Sequence, residues 1–268
     1  MQHGLLATYT KAERTSVPFS DSLLFFKKQR PLIVWTIFIL LVIFLITLLF
    51  FSLFTRYIEM NFHFIITEPG SDASVFWNIL FWLMNGLFSL FLKVFAFYFS
   101  FLIAYTATAP LYQFLSVMTE DLFRGKKVKE DSVPEFEEIM GDYISIFPLS
   151  FMLFAVLVVA LIANFIPFFG PILCFIVLCF SSALLLIAFP ATRLGWEMQQ
   201  KIEWLIKHPV DTFRLGLFPL LISFIPVISP FIMGIASPFL VVHATLNFIL
   251  KEESQKILAA TVQTKNIS

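Results

Sequence analysis

The chain has 268 residues, 59% of them hydrophobic and only 13% charged, with 18 Lys and Arg against 18 Asp and Glu. Soluble domains carry charge on about a quarter of their residues, so this composition excludes an ordinary aqueous fold. The absence of net charge also points away from nucleic acid as a partner.

Leu, Ile, Val and 36 Phe fall in long blocks without period-two alternation. Such blocks predict spanning helices rather than barrel strands, hence an all-α membrane protein whose first partner is the lipid bilayer.

Residues 1–30 are too long and polar before the first apolar run to be a cleavable signal and read as a cytoplasmic segment ending in FFKKQR. The first span is 31–54, free of charge and opening on a proline, which suits a first helical turn. A polar loop with an EPGSD turn follows. The next apolar stretch, 75–110, would be about 54 Å long as one helix, so part of it must project beyond a core of roughly 30 Å. With Trp77 and Trp82 at one interface, Lys93 falls near mid-depth.

Residues 119–142, TEDLFRGKKVKEDSVPEFEEIMGD, hold most of the mixed charge and read as a solvated cytoplasmic face, with a binding patch as the alternative. Two apolar hairpins come next, 147–190 and 215–250. Between them, 192–208 places Leu194, Met198, Ile202, Leu205 and Ile206 at helical spacing, an amphipathic helix on the membrane surface. Residues 251–268 form a cytoplasmic tail. Lys27, Lys28 and Arg30 before the first span, and Arg124, Lys126, Lys127 and Lys129 after the second, put the N-terminus on the cytoplasmic side. Cys174 and Cys179 fall on different helix faces and read as packing residues.

FIPFFGP at 165–171 returns as FIPVISP at 224–230. Pro167 and Pro226 lack the donor that would continue a helix, while Pro171 and Pro230 suit the first position of a new one. Gly170 and Ser229, just before them, are favoured N-caps. Each copy is thus a sharp reversal between two helices. The leg 215–225 is about 16 Å long, too short to cross, whereas 148–166, about 28 Å, could nearly span; the matching turns favour two half-inserted hairpins, with a full span of the first as the alternative. Helix starts inside a membrane need a protein interior or wet cavity around their free N–H groups, and their dipoles favour anions.

The order of APLYQFLSVMTEDLFRG, IPFFGP, AFPATRLGW and RLGLFPLLISFIPVISPFIMGIASPFLVVHATL resembles the bacterial CysZ sulfate permease and etoposide-induced protein 2.4 superfamily, over roughly 19–250. The resemblance implies two long transmembrane helices and two half-inserted hairpins. It also implies a homo-oligomer in the bacterial inner membrane and uptake of an inorganic anion, sulfate. Where the bacterial transporters carry Gly-Leu-Arg before the first span, this chain has FFKKQRP; where the family reads Gly-Ala-Thr near the end, His243 precedes Ala244 and Thr245. The eukaryotic branch implies a different function, without transport, through protein contacts or bilayer deformation.

The candidate anion-binding residues are Lys27, Lys28, Arg30, Gly170, Ser229 and Lys93, with Pro167, Pro171, Pro226 and Pro230 as structural turns. The basic cluster would add side-chain charge to a helix N-terminus, or else serve as an orientation signal and lipid anchor. Lys93 either faces a cavity or partner, or snorkels. His243 reads as a hydrogen-bonded packing residue before a ligand or proton carrier. No HExxH, phosphate loop, CxxC or nucleophile elbow occurs, so neither catalysis nor a cofactor is expected.

Overall fold

The computed structural model describes residues 16–61, 74–126, 169–223 and 229–267, with isolated positions between 155 and 166 and at 225. Among these residues there are eight helices and no strand: α1 (Phe19–Lys28), α2 (Arg30–Asn61), α3 (Val75–Ala107), α4 (Ala109–Phe123), α5 (Phe169–Arg193), α6 (Met198–Lys207), α7 (Pro209–Ser223) and α8 (Ser229–Ile267). Stretches of α2, α3, α5 and α8 are long and apolar enough to cross a membrane. The protein is an all-α integral membrane protein.

Two units are distinguished, one of residues 1–39 and 109–268 and one of residues 40–108. In the second, the later part of α2 meets α3 through ring pairs, Phe51 with Phe97 at 6.1 Å and Phe54 with Phe99 at 5.1 Å. Ala96, Ser100 and Ala104 make the buried strip of α3 at i, i+4 spacing, small residues of the kind that allow close helix packing in a bilayer. The helix α2 runs past residue 54 to Asn61, because TRYIEMN contains neither Gly nor Pro to stop it.

In the first unit, α8 is the centre. It packs on α1, α4, α5 and α7. Leu240, Val241, Val242, Ala244, Leu246 and Phe248 are all within 2% of full burial, as expected of a helix that is apolar all round. Buried hydroxyls register α4 against it: Tyr112 Oη lies 2.7 Å from Ser237 Oγ and Ser116 Oγ 2.9 Å from Thr245 Oγ1. The helices α5 and α7 meet most closely at Gly216, where an added Cβ would run into the backbone carbonyl of Cys179. Cys174 and Cys179 are both free thiols.

Local signals explain most of the breaks. Thr108 ends α3, its hydroxyl donating to the Ala104 carbonyl at 3.0 Å, and Pro110 sits in the first turn of α4. Gly125 and Gly195, at φ 74° and 70°, end α4 and α5. The Trp196 N–H then reaches the Ala191 carbonyl at 3.2 Å and the Lys126 N–H the Asp121 carbonyl at 2.8 Å, the 6→1 bond of a Schellman cap. Glu197 and Gln200 form a reciprocal capping box that starts α6, and Pro209 starts α7.

Further expected boundaries shift: the 75–110 stretch breaks at Thr108, and the first leg of the second hairpin begins at Pro209 rather than 215. The helix α5 continues through the buried Pro190 to Arg193, since spanning helices tolerate proline where neighbours cover the freed carbonyl. The expected tail is the continuation of α8, unbroken to Ile267. The amphipathic helix is shorter than 192–208 and turned differently: Lys201, Trp204 and Leu205 face inward, while Leu194 and Ile206 are exposed. Packing against α5 and α7 selects that face.

Candidate functional site

At the junction of α1 and α2 the chain breaks for one residue. Gln29 takes an extended conformation, φ −97° and ψ 94°, while its N–H still reaches the Phe25 carbonyl at 3.2 Å. Lys27 and Lys28 close α1, Arg30 opens α2, and all three are exposed. No carboxylate pairs with them among the described residues. Arg124, Arg193, Lys207 and Lys251, by contrast, each meet an acid. Lys93 belongs to the other unit and is exposed on α3, also without an ionic partner among the described residues.

The hairpin starts differ from expectation. The helix α5 begins at Phe169, so Gly170 is already inside it, and Ser229 is the first residue of α8 rather than the residue before it. The Gly170 N–H donates to the Ile166 carbonyl at 2.9 Å and the Ser229 N–H to the Ile225 carbonyl, also at 2.9 Å. The two copies therefore repeat the same i→i+4 turn, and neither residue offers its own N–H to an anion. Pro167 and Pro226 lie outside the described residues, as does the incoming leg of the first hairpin beyond scattered positions.

A cluster that the sequence reading largely missed joins the start of the chain to α8. Asn247 accepts from the Val17 N–H at 2.9 Å and donates to the Val17 carbonyl at 3.3 Å. Ser22 Oγ lies 2.7 Å from His243 Nδ1, and Phe19 meets the His243 ring edge-on at 5.4 Å. His243 is therefore a hydrogen-bonded packing residue. The available signal was Asn247, four residues after His243 in an otherwise apolar run, which puts two polar groups on one helix face. Beside this cluster opens a cavity of about 540 Å3, bordered by Ser16, Arg214, His243 and Asn247 and walled by apolar residues of α7.

Polar pairs also gather where α4, α5 and α8 meet. Glu120 binds Arg193 and Arg124, the latter at 2.7 Å, and Arg124 reaches Glu253 at 2.7 Å. The stretch from residue 119 is thus not a purely solvated face: Thr119 and Phe123 are buried, because the helical period from Tyr112 brings them inward. Residues 127–142 lie outside the described ones. Nearby, Lys251 holds Asp211 at 3.0 Å and Gln255 Nε2 lies 2.9 Å from His208 Nε2. Burial, then the positive charge of Lys251, holds the His208 pKa below the ordinary histidine value; Lys207 adds to the depression and Asp211 opposes it.

The profile of the family described as sulfate transporter CysZ/etoposide-induced protein 2.4 matches residues 19–234, well over half of the chain. The chain belongs to that family. No curated protein matches it significantly. Lys27, Lys28, Arg30, Lys93, Gly170 and Ser229 all fall inside the part matched to the CysZ/etoposide-induced protein 2.4 family, whereas His243 and Asn247 lie beyond it.

Proposed function

We propose that this CysZ-family protein provides a pathway for a sulfate-like oxyanion across a bacterial inner membrane, as a homo-oligomer with its N-terminus in the cytoplasm. The observation that carries this reading is the cationic break at Lys27, Lys28 and Arg30, free of carboxylates among the described residues. Arg30 at the start of a long apolar helix adds to that helix's dipole, and Lys27 and Lys28 just before it raise the local positive charge that concentrates a divalent anion at the entrance. Family membership supports the ion class. No chemical step is involved; the protein binds and passes the ion.

Labelled sulfate flux into proteoliposomes tests the proposal. The parent protein is expected to carry sulfate above empty vesicles. A variant with Lys27, Lys28 and Arg30 all changed to Gln is expected to lose at least about tenfold, the effect of losing charge-assisted contacts worth about 1.5–3 kcal/mol. Flux equal to empty vesicles for the parent, under conditions where it is folded, would instead favour a membrane protein acting through contacts or bilayer deformation.

A further inference from the structure

One face of α7 is built like a receptor for a charged amphiphile. Arg214, Leu217, Phe218 and Leu221 stand at i, i+3, i+4 and i+7, so a guanidinium is followed by two turns of apolar side chains on one side of the helix. All four border the cavity of about 540 Å3, within the roughly 300–1,000 Å3 typical of small-molecule sites. Phe218 and Leu221 are 41% and 52% exposed, so the apolar floor is open along its length.

The guanidinium is underused. It reaches Ser16 Oγ at 3.5 Å, a long contact, and has no carboxylate partner among the described residues. Asp211 also borders the cavity, one turn earlier on the same helix, but Lys251 answers its charge at 3.0 Å. His243 and Asn247 also border the cavity, with His243 Nδ1 held by Ser22 and the Asn247 amide by Val17.

We propose that this groove holds an anionic phospholipid, its phosphate on Arg214 and the first part of an acyl chain along Leu217, Phe218 and Leu221. A free oxyanion shares the phosphate chemistry, but would lose hydration against a largely apolar wall with little in return. A lipid places the same charge at the rim, keeps it partly hydrated, and covers the apolar floor with methylenes. The bilayer supplies the ligand. This site is separate in its residues from the cationic break and does not depend on transport.

The test uses the full chain, delipidated in detergent, and reads bound lipid by native mass spectrometry with equal phosphatidylglycerol and phosphatidylcholine. Phosphatidylglycerol is expected to be retained about tenfold over phosphatidylcholine, whose choline cation cancels the phosphate charge that Arg214 would answer. Arg214→Gln should remove that preference and Arg214→Lys should restore much of it. Leu221→Trp, which fills the floor at an exposed position, should lower retention of both lipids. Lys207→Gln, on the exposed side of α6, should change nothing. Circular dichroism checks that each variant is folded. Unchanged preference in Arg214→Gln overturns the proposal. So does sulfate binding that depends on Arg214 but is indifferent to Leu221→Trp, which would make this a free-oxyanion site.

Discussion

Asn247 holds the backbone of Val17 from both sides, accepting its N–H at 2.9 Å and donating to its carbonyl at 3.3 Å, across 230 residues of sequence. The amide does for Val17 what a neighbouring strand would do. Asn247→Leu is nearly equal in size but leaves both groups of a buried residue unpaired, and should cost about 2–3 kcal/mol. Thermal unfolding in detergent reads the loss. A variant as stable as the parent would show that the clamp contributes nothing.

Gly216 and Gly86 make a matched pair of substitutions. An alanine Cβ at Gly216 would collide with the Cys179 backbone, while at Gly86 nothing lies within 4 Å. Gly216→Ala should therefore lower the unfolding midpoint, by the 1–3 kcal/mol or so typical of overpacking. Gly86→Ala should be neutral or stabilise by up to about 1 kcal/mol, because glycine is a poor helix former. Equal effects would disprove the close crossing of α5 and α7.

Glu120 is the shared acid of Arg124 and Arg193, and its side chain is 15% exposed. Glu120→Gln should destabilise on the order of 1–3 kcal/mol, since the partly buried Arg193 loses its acid and Arg124 one of its two. Glu203→Gln, which breaks the exposed pair with Lys207, should cost less than about 0.5 kcal/mol. Denaturation of the two variants side by side compares them.

His208 gives a pH dependence with a definite sign. Its folded pKa lies below its unfolded one, so the unfolded chain binds the extra proton first. Its contribution is fully present above an ordinary histidine pKa of about 6.5. It falls away as pH drops from there toward the depressed folded value. Gln255 Nε2 can only donate, so the 2.9 Å contact also requires an unprotonated His208 Nε2. His208→Gln should flatten the stability profile below about pH 6.5 and leave it unchanged above; an unaltered slope would refute the assignment.

Half-insertion of the hairpins is tested at their turns. Ile166 and Ile225 occupy equivalent places in the two copies, each accepting the same i→i+4 bond. Cysteines there, in a chain with Cys174 and Cys179 changed to serine, should react slowly with an impermeant maleimide added from outside. Rapid labelling at both would mean that the hairpins cross fully, for which α5 and α8 are long enough.

Composition by itself determined that the protein is helical and lies in a bilayer, because hydrocarbon permits only structures that satisfy their own backbone bonds and no period-two pattern was present. Proline marked where new helices begin, as it restricts the backbone locally whatever surrounds it: α5 and α8 start at Phe169 and Ser229, beside Pro171 and Pro230, whereas the breaks at Thr108 and Gly195 fall inside stretches expected to be helical, 75–110 and 192–208. Local rules did not reveal which helix would be central. The more hydropathic helix, α2, is largely exposed, while α8, with His243, Thr245 and Asn247 in its buried stretch, is the central one because α1, α4, α5 and α7 pack on it. Local rules were equally silent on the clamp of Asn247 on Val17 and the sharing of Glu120 between Arg124 and Arg193. The inward face of Lys201 was hidden too. Such contacts exist only once distant segments pack, because a polar side chain in an apolar chain takes its role from the partner that the fold brings within 3 Å or so.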